Sequence, residues 1–135
     1  MDWETLVDDM IDDGQKLQER LREKGFVFDA AAWLKPSEDG RWLFYVISPL
    51  VRSEGRSKAY RLLHPLVRQM PQPFWIDPLE IKLIDPDNPI AKDLLAIQHR
   101  APGPHVSPMR WGGTRIGNMS LEGAYLYSLP STATA

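Results

Sequence analysis

The stretch that decides the fold runs from residue 26 to residue 48 and reads FVFDAAAWLKPSEDGRWLFYVIS. Segments 26–34 and 42–48 are aromatic and β-branched, and residues typical of turns fill positions 35–41 between them. This pattern predicts a β-hairpin that is apolar on both faces. Such a strand pair is typical of the centre of a sheet. We therefore expect helices to cover both faces, or a second subunit to cover one of them.

Two features of this hairpin lead to more specific expectations. If Leu34 pairs with Arg41, then Trp33 and Trp42 face each other, and an aromatic pair of this kind adds about 0.5–1.5 kcal/mol beyond its area burial. Asp29 is the one polar residue of the first arm, and a carboxylate there must find a partner or reach water. A position at a strand end or sheet edge, open to water, is the favoured interpretation of Asp29.

A helix is predicted before the hairpin because apolar residues recur there at helical spacing. Acidic residues lie toward its start and basic residues toward its end, which suits the helix dipole, and Gly25 is the natural stop. Gly14 falls on the apolar stripe, where it costs about 1 kcal/mol relative to alanine, so we expect a close contact against the backbone there. The stripe comprises Trp3, Leu6, Val7, Met10, Ile11, Leu17 and Leu21.

The remaining elements follow from periodicity and turn residues. A second helix is expected over 53–70, with a kink or break near His64 because Pro65 lies inside the pattern. A strand is expected around 79–84, and the sequence DPDNP at 85–89 then begins a third helix that buries Ile90, Leu94 and Ile97. A terminal hairpin has arms near 110–116 and 121–127 and turns at Gly117-Asn118.

These elements predict an α+β fold in the order α-β-β-α-β-α-β-β, with three helices and a mixed or mainly antiparallel sheet of about five strands. The length of 135 residues suits one domain, which we place at 1–128, with 129–135 as a flexible tail. The absence of cysteine excludes disulfides and thiol chemistry, and no apolar run reaches the roughly 18 residues of a membrane span. An acidic N-terminus unlike a secretory signal makes the cytoplasm the expected location.

Residues 94–121 contain no Asp or Glu, although the rest of the chain is rich in both. Within this stretch Arg110 and Arg115, with the backbone amides near Gly112 and Gly113, could cradle a phosphate or carboxylate. Arg100 would assist them, and His105 or His99 would supply an acid or base. The competing interpretation is a loop shaped by proline and glycine with solvated arginines, since the glycine pattern matches neither a Walker loop nor a dinucleotide fingerprint.

A second group of cations lies on one face of the middle helix, where Lys58, Arg61 and Arg68 recur opposite the apolar stripe. Such a row can neutralise nucleic-acid phosphates. It is also the ordinary solvated side of an amphipathic helix. The net charge of −2 disfavours nucleic acid as the partner.

Metal and catalytic motifs are weak. No two of the three histidines are four residues apart, the acids at 85–87 lack the rest of a calcium loop, and the prolines beside them favour helix caps. No metal and no cofactor are predicted. Trp75 and Trp111 lie among proline and glycine, where each is either a loop-pinning residue or a partner-binding anchor.

The preferred hypothesis is a small, non-enzymatic binding domain that associates with itself or with a protein partner. It depends on the two-sided apolar hairpin, on five tryptophans in 135 residues and on the missing catalytic set. One alternative is an enzyme or binding protein for a small anionic molecule, and another is weak nucleic-acid binding. The sequence alone leaves the choice between enzyme and binding protein open.

Overall fold

The computed structural model describes residues 8–100, 109–111, 114–117 and 119–127. They form the α+β fold that the sequence predicts. The elements in chain order are α1 (Asp8–Glu23), β1 (Ala30–Pro36), β2 (Leu43–Ile47), α2 (Leu50–Ser53), α3 (Arg56–Arg68), a 3-10 helix (Pro78–Glu80), β3 (Ile81–Ile84), α4 (Pro89–Arg100), β4 (Met109–Trp111), β5 (Thr114–Ile116) and β6 (Met119–Leu126).

The strands form one mixed sheet in the order β3-β2-β1-β6-β4, with β5 also paired to β6. The β2–β3 pair is parallel and the other pairs are antiparallel, so the predicted hairpin β1–β2 lies inside the sheet. Within the described residues there are six strands and four α-helices, against about five and three expected. The difference comes from the one-turn helix α2 and from the division of one predicted arm into β4 and β5.

The terminal hairpin has the predicted turn. Both β4 and β5 pair with β6 in a single register, as one continuous arm would. Ile116 pairs with Met119, and Gly117, which follows β5, lies in the turn with a positive φ of 62°. Gly117 also lies against the first turn of α4, because a Cβ at this position would be 2.8 Å from the Ile90 nitrogen.

The register of the central hairpin differs from the expected one. Leu34 pairs with Leu43 instead of Arg41, so Trp33 faces Phe44, with ring centroids 5.0 Å apart, and the predicted Trp33–Trp42 pair is wrong. The shift arises because β1 continues to Pro36 in order to pair with β6. It spans two residues and therefore leaves each side chain on its face. Trp42 instead packs over Gly123 of β6, where an added Cβ would lie 2.6 Å from its ring.

Helices of the same chain cover both faces of the hairpin. One face packs Trp33, Phe44 and Val46 against α1 and α3, and the other packs Leu34 and Ile47 against α4. Every residue of β1 and β2 is buried. The hairpin therefore needs no second subunit, which removes the main sequence argument for self-association.

The first helix ends as predicted. Gly25 has a φ of 75°, the Phe26 N–H donates to the Leu21 carbonyl over 2.8 Å, and the Gly25 N–H donates to the Arg22 carbonyl over 3.2 Å. These two bonds are the Schellman arrangement, which satisfies carbonyls that the helix leaves unpaired. The predicted stripe residues Trp3, Leu6 and Val7 lie outside the described residues.

Gly14 makes the close contact that its place on the stripe predicts. A Cβ at Gly14 would overlap the Tyr127 hydroxyl and lie 2.9 Å from both the Tyr127 Cζ and the Phe44 Cε1. The hydroxyl of Tyr127 donates to the Ile11 carbonyl over 2.6 Å and accepts from the Trp33 indole N–H over 3.0 Å. Glycine at position 14 therefore lets Tyr127, which follows β6 and binds Trp33 of β1, reach the backbone of α1.

The middle helix does not break near His64, so that half of the expectation is wrong, and the kink stays a prediction. α3 continues through Pro65 to Arg68, and a separate turn, α2, precedes it. Pro65 lies in the last turn, where the missing N–H costs one bond, to the carbonyl of Arg61, and Arg61 is exposed to water. Ala59, Leu63 and Val67 remain buried on one side and hold the helix to the sheet.

The edge of the sheet at β3 is closed by side chains of α3. The Leu83 N–H donates to the Tyr60 hydroxyl and the Leu83 carbonyl accepts from Arg56, both over 2.9 Å. This arrangement protects an edge that would otherwise invite pairing with another strand.

The start of α4 is capped as the DPDNP sequence suggests, but by the amide and not by the acids. The Asn88 side-chain oxygen accepts the Ile90 N–H over 2.9 Å. The carboxylates of Asp85 and Asp87 both bind Arg52, over 2.7 Å in the case of Asp85. The interpretation of these two acids as helix caps is therefore wrong, and their partner comes from α2.

Candidate functional site

The exposed large apolar side chains of the described residues are Val27, Leu62, Trp75 and Leu79. Trp75 (52 % exposed) and Leu79 (77 %) lie on one segment, residues 69–80, which we call the α3–β3 connection. Isolated exposed apolar residues are normal on a protein surface. Two of these four exposed side chains lie on one connection, and this makes the segment the strongest candidate for a binding site.

The first half of the α3–β3 connection is held against α1. The Trp75 N–H donates to the buried Asp13 carboxylate over 2.5 Å, a contact between residues 62 positions apart. Ile76, the next residue, is buried, and Phe74 packs against the core that lies between the sheet and α1 and α3. The backbone of Trp75 is thus fixed while its side chain remains half-exposed.

The second half is held by its own cap and by an ion pair. Asp77 accepts the Leu79 N–H over 2.9 Å, which begins the 3-10 helix Pro78–Glu80. Glu80 is buried and lies 3.5 Å from Arg41. Burial raises the pKa of Glu80, and the guanidinium of Arg41 opposes that rise. Leu79 therefore projects from a short helix that is anchored at both ends.

Asp13 couples the α3–β3 connection to pH. Burial raises the pKa of its carboxyl above the ordinary 3.8, and the bond from the Trp75 N–H opposes the shift. A folded-state pKa above the unfolded one means that this group contributes stability below the unfolded pKa. That contribution is lost as the pH rises through the folded pKa.

We expect Asp13→Asn to reduce the loss of stability with rising pH, because asparagine keeps an oxygen for the Trp75 N–H but does not titrate. The measurement is the urea midpoint of wild type and variant from about pH 3 to about pH 7. Glu19→Gln, an exposed change on the same helix at a residue that does not shift the pKa of Asp13, controls for the loss of one charge from α1. Parallel curves for wild type and Asp13→Asn would contradict the assignment.

The predicted anion site lies almost entirely outside the described residues. His105, Gly112 and Gly113 are not described. The backbones of Arg110 and Arg115 lie opposite Tyr125 and Ser120 of β6, and α4 ends at Arg100. The side chains of these arginines are not described either, so the anion site stays a prediction. The same holds for Trp111, whose backbone pairs with Ala124.

The basic row of α3 is exposed, as expected for the solvated side of a helix. Lys58 pairs with Glu54 over 2.7 Å, and the upstream Arg52 and Arg56 are engaged by carboxylates and by a strand carbonyl. Arg61 and Arg68 form no ion pair within the described residues. These pairings leave fewer cations for phosphate than the sequence suggests.

Two smaller expectations concern single residues and metal. Asp29 is exposed at the position before β1, which is the favoured interpretation, and its N–H donates to the Ile47 carbonyl over 2.7 Å. Among the described residues, no three or more His, Asp or Glu side chains are grouped so that they could hold a metal ion. No described helix is long and apolar enough to cross a membrane.

Sequence reasoning identified Trp75 and missed Leu79 and Asp13. The predicted strand includes Leu79, although Asp77-Pro78 carries the signature of a helix start, with an acceptor at the cap and proline at the first helical position. That signature separates Leu79 from the strand that follows. No local pattern reveals Asp13, because its partner is 62 residues away.

Comparison of the chain with models of protein families, with curated proteins and with solved structures finds no match.

Proposed function

We propose that this chain is a cytoplasmic, non-enzymatic interaction domain that docks on a protein partner through the α3–β3 connection. The observation that carries the proposal is the pair of exposed apolar residues, Trp75 and Leu79, on a segment anchored to α1 and to Arg41. Tryptophan is enriched among the residues that dominate binding energy at protein interfaces.

The hydrogen bonds that hold the backbone of the α3–β3 connection support this role. Association costs free energy when loops and side chains must be ordered, and a segment fixed beforehand avoids part of that cost. The hydrogen bond of Trp75 to Asp13 and that of Leu79 to Asp77 fix the backbone at both apolar residues. A docking surface of this kind keeps its shape in the free protein.

A partner protein is a better candidate than a second copy of the chain. The self-association hypothesis depended on an uncovered face of the hairpin, and helices α1, α3 and α4 cover both faces. The sheet edge at β3 is closed by Tyr60 and Arg56. The exposed residues of the α3–β3 connection remain as the supporting feature for binding.

We expect Trp75→Ser to weaken partner binding about 30-fold, because truncation of an interface anchor costs about 2 kcal/mol or more. The immobilised domain is incubated with lysate of the source cells, and the retained proteins are quantified for wild type and variant. Val27→Ser is the matched control, because Val27 (55 % exposed) is as exposed as Trp75 and lies outside the α3–β3 connection.

The proposal predicts a set of proteins that Val27→Ser retains and Trp75→Ser loses. Each change also removes a partly buried apolar side chain, so urea titration verifies that both variants remain folded under the binding conditions. Equal retention by the two variants would contradict the proposal.

A further inference from the structure

We infer that the partner presents a basic amphipathic segment, with Lys or Arg beside apolar side chains, to the α3–β3 connection. This inference rests on the proposed function and specifies the chemistry of the partner. The apolar part of the segment would contact Trp75 and Leu79. Its cations would face the carboxylates that surround these two residues.

Carboxylates of α1 lie on one side of the α3–β3 connection. The Trp75 N–H reaches Asp13, and the exposed Asp9 and Asp12 lie one turn before it and directly beside it. The carboxylates of Asp9 and Asp12 raise the pKa of Asp13, and the ammonium of Lys16 lowers it. Two exposed acids and one base therefore lie close to the buried Asp13 carboxylate that holds the backbone of Trp75.

The α3–β3 connection adds a carboxylate of its own. Asp77 is exposed, lies between Trp75 and Leu79 in sequence, and binds the Leu79 N–H through one oxygen. The buried Glu80 is paired with the exposed Arg41, and Arg68 at the end of α3 is a second exposed cation. Acidic groups thus flank both exposed apolar residues.

Charge complementarity selects between the possible occupants. Opposite charges across an interface speed association and exclude wrong partners, and juxtaposed like charges are costly. A second copy would bring the same acidic surface against itself in a two-fold interface. Nucleic acid would be repelled by the same carboxylates. A basic segment with apolar side chains satisfies both features of the surface.

The test selects peptides from a randomised 12-residue display library on the full chain, and the enriched peptides are then synthesised. Their affinities are measured by fluorescence anisotropy at low and at physiological salt. We expect Lys or Arg beside aromatic or aliphatic residues, and a loss of affinity of about tenfold between the two salt concentrations.

Charge variants then locate the interaction. Asp9→Asn with Asp12→Asn should weaken the peptides about tenfold. Glu19→Gln with Glu23→Gln, exposed acids of the C-terminal half of α1, is the matched control and should leave the affinity unchanged.

The outcomes separate this inference from the proposed function. Neutral or acidic peptides that still depend on Trp75 overturn the inference and leave the docking role intact. Peptides indifferent to Trp75→Ser, or a library without enrichment, overturn both. A dimer in light scattering that Trp75→Ser dissociates identifies a second copy as the occupant and also overturns the inference.

Discussion

Replacing Gly14 with alanine is expected to lower the free energy of unfolding by about 2 kcal/mol, although alanine is the better helix former. Helix propensity alone predicts a gain of about 1 kcal/mol from this change. The added Cβ, however, would overlap the Tyr127 hydroxyl and lie 2.9 Å from the Phe44 ring, both in the interior. Overpacking of a well-packed core costs about 1–3 kcal/mol, and displacement of Tyr127 also breaks buried hydrogen bonds.

Urea titration of Gly14→Ala measures the effect. Gln15→Ala is the control, because position 15 is the exposed neighbour on the same helix and reports helix propensity alone. A variant more stable than wild type would show that the contact of Tyr127 with the helix backbone is absent.

Removal of the Tyr127 hydroxyl by Tyr127→Phe is the second large effect, with an expected loss of about 2 kcal/mol. The hydroxyl accepts from the buried Trp33 indole and donates to the Ile11 carbonyl, so its removal leaves both groups without this partner. Burial raises the pKa of Tyr127, which keeps the phenol protonated as the donor that the Ile11 carbonyl needs.

Tyr45→Phe is the matched control for this variant. Tyr45 is buried to a similar degree, and its hydroxyl contacts the Met119 sulfur over 3.8 Å, a weaker acceptor. We expect a loss below about 1 kcal/mol for Tyr45→Phe. Equal losses for the two variants would contradict the role of Tyr127 as the link between strands and α1.

The two large effects should not add. In a Tyr127→Phe background the hydroxyl no longer occupies the space beside Gly14, so Gly14→Ala should cost less there than in wild type. Residues in contact show interaction energies of about 0.5–3 kcal/mol in such a cycle. Simple additivity would indicate that the two sites do not touch.

Local rules predicted the elements that end or turn at a particular residue. Gly25 ends α1, Asn88 with Pro89 begins α4, and Gly117 turns the terminal hairpin, because each feature depends on neighbours within a few positions. The α+β class followed from the order of these elements. Such features require no knowledge of distant partners.

Contacts between distant residues account for most of the differences. The register of β1 and β2 depends on β6, which extends β1 to Pro36. The acids at 85 and 87 bind Arg52 instead of capping a helix. Pro65 is tolerated because burial of α3 against the sheet outweighs one missing hydrogen bond. None of these outcomes is contained in a local pattern.

The candidate site was predictable only in part, because one of its contacts joins residues that are distant in sequence. Trp75 stands out in the sequence because proline surrounds it, but its anchor, Asp13, is 62 residues away. The anion-site residues of the acid-free stretch remain a separate prediction. Their test is binding of phosphate or carboxylate ligands by wild type and by Arg110→Ala with Arg115→Ala.

Photo-crosslinking from position 75 tests the central claim most directly. A photoreactive amino acid is introduced at position 75 in one chain and at position 27 in another, and both are irradiated in the source cells. The account predicts a discrete protein adduct from position 75 that is absent from position 27. The same adducts from both positions, or none from position 75, would contradict docking through the α3–β3 connection.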